Sequence, residues 1–278
     1  MKKSLSNKKA LPEGALSWKV EKGGLSLIHL LREKAAISGK EAKRAVENGG
    51  CFINGKMEKF ASTKVEAGKE ILFFLDRLAK RKKEDLALLY EDEYFQAFYK
   101  PIFFTCDKRC TLHRLDKETS GVLLISERPE FFLLFKRREI DKRYFAIVEG
   151  KIDGDKGEIN RPLSVVRAFA GQKIMGSVED GLPSITKWKK IATKDGLTLL
   201  ECRPVTGRTH QIRVHLSLLG APILGDSQYG NRYKKGIKRM YLHAHKVLFT
   251  HPFTKKKMTI TAPIPKEFLE FFDESLFR

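Results

Sequence analysis

Long apolar runs are missing from this chain. The longest, such as Ile71 to Leu75 and Phe131 to Phe135, fall far short of the ~20 residues a membrane-crossing helix needs, so no membrane partner is expected. Cysteine is scarce. Cys51, Cys106, Cys110 and Cys202 make no disulfide framework in a chain of this length. Cys106 and Cys110 have no second Cys/His pair at zinc-finger spacing, so reduced thiols and no metal site are expected. Glycine-rich phosphate loops are absent too, both the P-loop and the dinucleotide fingerprint, so nothing supports nucleotide-driven or NAD-dependent chemistry and no cofactor is expected. No apolar stretch follows the basic start from Met1 to Lys9, which argues against a secretory signal and for a cytoplasmic protein. Negative charge is in short supply: 34 Asp and Glu stand against 54 Lys and Arg, a formal net charge of +20. A chain so basic repels itself, and a polyanion partner is the usual reason to tolerate that. RNA or DNA leads; an anionic membrane surface would call for a basic amphipathic helix with an aromatic face, and none is visible. What is plentiful is core material, 42% apolar residues over 278 positions, which excludes a disordered chain and allows one large or two unequal domains.

Residues 1–23 are a Lys-rich lead with Pro12 and Gly23-Gly24, expected to form a loose basic tail. Leu27, Ile28, Leu30 and Leu31 cluster at helical spacing within Leu25 to Ala35. Ser38-Gly39-Lys40-Glu41 matches a capping box for a second helix, which Gly49-Gly50 should stop. Cys51-Phe52-Ile53 reads as a strand, Asn54-Gly55 as a tight turn, and Glu70 to Leu75 as a further strand. Lys40, Lys43 and Arg44, at i, i+3 and i+4, project from one side of the second helix. They make a cationic stripe suited to phosphates; an isolated stripe of this kind is more often a solvated helix face. Arg77 to Glu84 is a charged bridge, and the boundary is placed at 77–84.

From residue 85 onward, short β-type runs (Phe95 to Tyr99, Val122 to Ile125, Tyr144 to Val148, Leu197 to Cys202, Met258 to Thr261) mix irregularly with helical patterns at Pro129 to Arg138 and Gln211 to Leu219. That favours α+β over a regular parallel α/β sheet. In His113-Arg114-Leu115-Asp116-Lys117-Glu118-Thr119-Ser120-Gly121, an acid on a polar loop feeds an apolar strand. Taken alone, this run is as compatible with a loop capped by Asp, Thr and Ser. It is not a kinase catalytic loop, because Leu115 intervenes before the Asp and Gly121 stands where an Asn is required. Tyr144 in Lys142-Arg143-Tyr144-Phe145-Ala146 reads equally as a core aromatic. In Gly207-Arg208-Thr209-His210-Gln211-Ile212-Arg213-Val214-His215, the histidines are five apart, on different helix faces, which is wrong for a metalloprotease pair. Arg213 among apolar neighbours calls for a buried acid as partner.

The order of elements near the N-terminus, with Glu41-Ala42-Lys43-Arg44, Phe52-Ile53-Asn54-Gly55 and Val65-Glu66-Ala67-Gly68-Lys69-Glu70-Ile71, resembles the S4 RNA-binding domain over residues 24–76. Lys100-Pro101, the His113 to Asp116 run, the Tyr144 segment, Gly207 to His215, Gly225-Asp226-Ser227-Gln228-Tyr229-Gly230 and Leu242-His243-Ala244-His245 follow in the order of the RluA family of pseudouridine synthases, over about residues 88–265. The resemblance implies a small S4-type αβ module followed by a catalytic domain at 85–278 built on a mixed, mainly antiparallel sheet. It implies a monomer that isomerises uridine in structured RNA, with large-subunit ribosomal RNA favoured and tRNA as the other substrate. Asp116 resembles the catalytic aspartate, a nucleophile or a base at the sugar. Arg213 resembles the arginine paired with it, and Tyr144 the tyrosine packed on the target base. Arg114 resembles the arginine that enters the RNA in place of the flipped base, and His113, Arg208 and His210 belong to the substrate-binding set with Lys40, Lys43 and Arg44. One departure stands out. Only Ile102 to Leu112 separates Lys100-Pro101 from His113, and Phe103-Phe104 replaces the region where the family has a glycine. Three other readings stay open on the sequence: a vestigial enzyme acting as an RNA-binding or ribosome-assembly protein, a glycosidase using Glu118 as second carboxylate, and a metal-dependent hydrolase using Asp116, Glu118, His210 and His215.

Overall fold

The computed structural model describes residues 15–75, 86–104, 111–137, 139–169, 172–230, 237 and 239–278. The chain divides into two compact units, Met1–Arg81 and Lys82–Arg278. The charged bridge at 77–84, Cys106 and Cys110 lie outside the described residues.

The first unit runs β1 (Ala15–Lys19), β2 (Leu25–Ser26), α1 (Leu27–Ala35), α2 (Gly39–Glu47), β3 (Cys51–Ile53), β4 (Lys56–Met57), β5 (Lys64–Val65) and β6 (Glu70–Phe74). Four strands form an antiparallel sheet in the order β1-β6-β3-β4, and β2 pairs with β5. The core is apolar: Leu27, Leu30 and Leu31 of α1 meet Ala42, Ala45 and Val46 of α2 and Ile71 and Phe73 of β6. The expected loose tail is corrected at its end, since residues 15–19 are a strand paired with β6 along its length. Leu16, Trp18 and Val20 alternate with polar neighbours and pack against the core, a period-two pattern overshadowed by the Lys-rich residues before it. The α1 helix starts at Leu27 rather than Leu25, because Leu25 and Ser26 pair with β5. The capping box is formed: Ser38 Oγ accepts from the Glu41 amide at 3.3 Å and the Ser38 amide donates to Glu41 Oε2 at 2.8 Å. Asn54 and Gly55 take positive φ, 48° and 76°, as a two-residue hairpin turn requires; the turn joins β3 to the short β4.

The second unit is mixed α/β. Its elements are β7 (Ala87–Glu91), β8 (Gln96–Lys100), β9 (Ser120–Ile125), α3 (Pro129–Lys136), β10 (Asp141–Glu149), β11 (Lys156–Asn160), β12 (Leu163–Phe169), β13 (Gln172–Ser177), β14 (Ile185–Lys194), β15 (Leu197–Pro204), α4 (Gln211–Leu218), β16 (Leu242–Thr250), β17 (Lys257–Thr261) and α5 (Lys266–Leu269). A nine-stranded sheet has the order β11-β14-β15-β10-β16-β9-β8-β7, with β17 on the second half of β16. The β9/β16 pairing is parallel and the other pairings in this sheet are antiparallel. Strands β12 and β13 form a separate hairpin.

The alternation of side chains along β10 divides the interior in two. Tyr144, Ala146 and Val148 join Ile212 and Leu216 of α4 on one face. Phe145 and Ile147 join Phe268, Phe272 and Phe277 on the other. Gly121, at φ +126°, lets β9 close on β16: a Cβ there would stand 2.1 Å from the Ala244 carbonyl oxygen. This is the parallel step that carries the loop from 113 to 119 to the α4 side.

Candidate active site

Residues 111–119 form the loop that enters β9. Thr111 bridges Ile125, and the Leu112 amide donates to the Leu124 carbonyl. The Thr119 amide closes a turn on the Asp116 carbonyl at 3.0 Å. From beneath, the fully buried Lys100 donates from Nζ to the carbonyls of Thr119 at 2.7 Å and Lys117 at 3.3 Å. Phe103 is buried at φ +62° with its amide on the Lys117 carbonyl. A phenylalanine thus holds a conformation that glycine adopts freely, in the segment where the sequence departs from the family pattern. Leu115 packs into the core beside Tyr144 and Ile212, so its neighbour Asp116 is left partly exposed toward a cleft.

Arg213 organises that cleft. Six consecutive residues of α4, Gln211 to Leu216, are buried, and Arg213 is 1% exposed. Its guanidinium forks onto Asp226, Nε to Oδ2 at 2.7 Å and Nη2 to Oδ1 at 2.9 Å. Nη1 reaches Asp116 Oδ2 and Glu118 Oε2, each at 3.3 Å. Burial opposes the Arg213 charge, but the hydrogen bonds and charge of Asp226, then Glu118 and Asp116, raise its pKa further. Burial likewise pushes Asp226 up and Arg213 more than offsets it, so the net direction is down. The buried acid expected beside Arg213 is therefore chiefly Asp226, with Asp116 as a further ligand. Gly225 makes this possible: at φ +75° its missing Cβ leaves room for the Arg239 carbonyl, which would otherwise stand 2.0 Å away. Asp226 was visible only as part of a motif; a Gly-Asp pair on a loop carries no signal of burial.

Tyr144 lines the cleft and is 8% exposed. Burial, and then the Asp116 charge, push its phenol well above the usual tyrosine range. Two residues earlier on the same strand face, Lys142 also lines the cleft, its pKa lowered by burial. On the opposite face Asp141 pairs with Arg143 and Arg203. Lys142 Nζ lies 3.6 Å from where a Cβ on Gly207 would be, an ordinary van der Waals separation that places the ammonium beside the 206–210 turn. Sequence reasoning passed over Lys142. His113 accepts the Leu124 amide on Nε2 at 3.2 Å, and burial, with Lys142 nearby, holds its pKa down to about 3; it is a neutral ring at neutral pH. Arg114 is exposed at the rim.

The turn at 206–210 forms the facing wall. Gln211 pins it: Oε1 accepts from the Thr206 hydroxyl at 2.6 Å and the Arg208 amide at 3.0 Å, while Nε2 donates to the Ile185 carbonyl. Arg208 donates from Nε to the Pro183 carbonyl. His210 precedes α4 in the left-handed region, φ 54°. Its Nε2 is 3.9 Å from Asp116 Oδ1, and its Nδ1 is 2.8 Å from the Tyr229 hydroxyl. Together these walls enclose about 650 Å³, within the usual range for a ligand pocket.

The structure brings Asp116, Tyr144, Arg213, His113, Arg114, Arg208 and His210 to one cleft. Lys40, Lys43 and Arg44 belong to the other unit, where both lysines are exposed. Glu118 does not line the cleft and is bound to Arg213, against a two-carboxylate glycosidase. His215 is turned to Thr186 and the Arg161 carbonyl. Among the described residues no cluster of His, Cys, Asp and Glu has the geometry to hold a metal ion. No described helix is long and apolar enough to cross a membrane.

Residues 93–218 match the family model described as RNA pseudouridylate synthase. A Helicobacter pylori (strain J99) protein named as an uncharacterized RNA pseudouridine synthase is 38% identical over 231 residues, 78% of this chain and 90% of that protein. The ribosomal large subunit pseudouridine synthase C of Salmonella typhi is 31% identical over 269 residues, 81% of this chain and 84% of that one. The solved structure of human RNA pseudouridylate synthase domain containing 1 superposes with a TM-score of 0.57 at 26% identity, over 67% of this chain and 86% of the human one.

Proposed function

The chain belongs to the RNA pseudouridine synthases, and from that premise we propose that it converts uridine to pseudouridine in large-subunit ribosomal RNA with Asp116 as the reacting carboxylate. The observation that carries the reading is Asp116 standing partly open to the cleft while the buried Arg213 holds one of its oxygens at 3.3 Å. The reaction is an isomerisation. The bond from ribose C1′ to uracil N1 breaks, the ring turns, and C5 joins C1′; C5 loses a proton and N1 gains one. Asp116 acts at the sugar, as nucleophile at C1′ or as base. Arg213 keeps that carboxylate oriented without giving up its own charge, since Asp226 already satisfies its fork. Tyr144 packs against the base and enters the reaction as the phenol, because burial and Asp116 disfavour its anion. Arg114, exposed at the rim, fills the stack when the uridine is extruded, a step that costs a few kcal/mol. His113, Arg208 and His210 line the walls against the nucleotide.

We assign the first unit as an S4-type RNA-binding module spanning residues 24–76. The support is its order of two helices, a strand, a tight turn and a closing strand, together with Lys40, Lys43 and Arg44 along one side of α2. Such a module grips backbone and shape and leaves the choice of base to the catalytic cleft. Large-subunit ribosomal RNA is favoured over tRNA because the Salmonella relative's name carries that substrate, and a cytoplasmic site of action goes with it.

The test is tritium release from uridine C5-labelled ribosomal RNA and tRNA. Wild type releases tritium from ribosomal RNA, and Asp116→Ala does not. Absence of release from every RNA, with tight binding intact, would mean an RNA-binding protein without the activity.

A further inference from the structure

A short chain of hydrogen bonds ends at His210, whose other ring nitrogen faces the reacting carboxylate at 3.9 Å, and it has no part in the assignments above. The Met175 amide, on β13, donates to the Tyr229 hydroxyl at 2.9 Å, and that hydroxyl meets His210 Nδ1 at 2.8 Å. A tyrosine hydroxyl has one hydrogen and two lone pairs. Met175 takes a lone pair. If His210 carried its proton on Nδ1, it would take the other lone pair, and the phenolic hydrogen of the partly exposed Tyr229 would have to turn to solvent. Donation of that hydrogen to Nδ1 keeps the bond inside the protein and leaves the imidazole proton on Nε2, the nitrogen facing Asp116 Oδ1 at 3.9 Å.

We propose that Tyr229 fixes His210 as the Nε2–H tautomer, so that His210 presents a neutral donor to the Asp116 oxygen that Arg213 does not hold. Both are positioning residues for Asp116, and the inference rests on the reading of Asp116 as the reacting group. Three further observations support it. Tyr229 is held in place: its amide donates to Asp226 Oδ1, its carbonyl accepts from the Ser217 hydroxyl, and the Arg213 guanidinium lies 5.2 Å from its ring centre. His210 is kept in left-handed backbone at the start of α4, a conformation disfavoured for a side-chain-bearing residue and one that tends to persist where function needs it. The groups facing the ring, Arg213, Asp116, Glu118 and Asp226, pull its titration in both directions, yet burial and then Arg213 prevail and lower it. Tyr229 keeps its proton, burial raising its pKa. A neutral ring suits the role: an imidazolium would present a hydrogen on both nitrogens and oppose the Tyr229 hydroxyl. Asp116 is thereby held on Oδ2 by a full charge at 3.3 Å and faced on Oδ1 by a neutral N–H at 3.9 Å, beyond hydrogen-bond reach. Closing the 3.9 Å gap on a bound nucleotide would complete the second contact.

The test uses the full chain with 15N-labelled histidine at pH 7.5, the His210 signals being identified by their loss in His210→Gln. Wild type shows the neutral Nε2–H tautomer, and Tyr229→Phe shows a mixture of tautomers. Turnover by tritium release separates a donor from a merely structural residue. His210→Gln keeps an amide N–H in reach of the Nε2 position, whereas His210→Asn suits the left-handed backbone better but falls short of Asp116. The expected order is Gln above Asn, with Asn down about 10- to 100-fold in kcat and little changed in KM, the loss expected for a hydrogen bond to a charged group. A wild-type Nδ1–H tautomer, an imidazolium at that pH, or Asn as active as Gln would overturn the inference. The spectrum is read without RNA, so it decides the tautomer even where wild-type turnover fails and takes the functional reading with it.

Discussion

On α2, Lys40 and Lys43 stand in solvent above a core of aliphatic and aromatic side chains, and no polar side chain among described residues 15–75 is fully buried. On α4, Arg213 is buried between three carboxylates. The two helices are similar in length, nine and eight residues, yet they use positive charge for different ends. An exposed cation interacts through high dielectric and mobile salt, so its worth is small and its position can shift by an ångström without much loss. A buried cation must have its partners in place before it is tolerated at all, and it then holds them in place. The first arrangement suits a polymer that presents many equivalent phosphates. The second suits one atom of one sugar.

The largest expected effect falls on the buried side of that comparison. Arg213→Met leaves Asp226 almost wholly buried with no cation to face, and the neighbouring carboxylates lose theirs. Breaking a buried pair in this way costs about 3–5 kcal/mol, which urea unfolding would read as a lowered midpoint with an unchanged slope. A loss under about 1 kcal/mol would put Arg213 in the same class as a surface lysine and erase the distinction. Next in size is the effect on binding of Lys40→Gln, Lys43→Gln and Arg44→Gln together. Each phosphate contact contributes roughly 0.7–0.9 to the slope of log affinity against log salt, so the triple variant should flatten that slope by about 2 while kcat at saturating RNA stays the same. A fall in kcat with the slope intact would mean that these side chains act on chemistry and not on the backbone of the RNA.

The same contrast explains what could be read in the sequence. Strong local signals were legible: the capping box at Ser38 and Glu41, the Asn54-Gly55 turn, and the apolar run of β9. Most strand boundaries in β8, β10, β15 and β17 follow from β-type runs. Two of the strands that went unseen alternate polar and apolar residues. In β14, Thr186 and Trp188 are buried while Lys187 and Lys189 face water, and the lysines conceal the alternation. In β1 the pattern of Leu16, Trp18 and Val20 was masked by the charged residues before it. At the cleft, the residue types flagged were those with a strong chemical signature, an acid before a buried strand and an arginine in an apolar helix. Asp226, Tyr229 and Lys142 were passed over because their significance lies in partners distant in sequence: Asp226 pairs thirteen residues back and Tyr229 meets Met175 from fifty-four residues away. Short-range pattern cannot show a hydrogen bond of that kind.

The smallest effect tests whether the exposed side of the comparison depends on its own helix. Ser38 caps α2 through its hydroxyl, and Glu41 reaches back to the Ser38 amide; hydrogen bonding of the Glu41 carboxylate to the Ser38 side chain, and then to that amide, draws the Glu41 pKa down. Ser38→Ala removes one half of this reciprocal pair at a cost of about 1 kcal/mol. Because Lys40, Lys43 and Arg44 project from the first turns of the same helix, a looser start should spread their positions without removing a charge. Amide exchange at Glu41 and Ala42 should quicken by roughly fivefold, as that energy implies for local opening, while the amides of α4 and the turnover number stay as they were. The salt slope should also hold, since diffuse charge tolerates imprecise placement. If instead the slope flattened as far as in the triple variant, the stripe would be a shaped site whose geometry matters, and the line between the two units would have to be drawn by burial alone and not by how closely each one positions its cations.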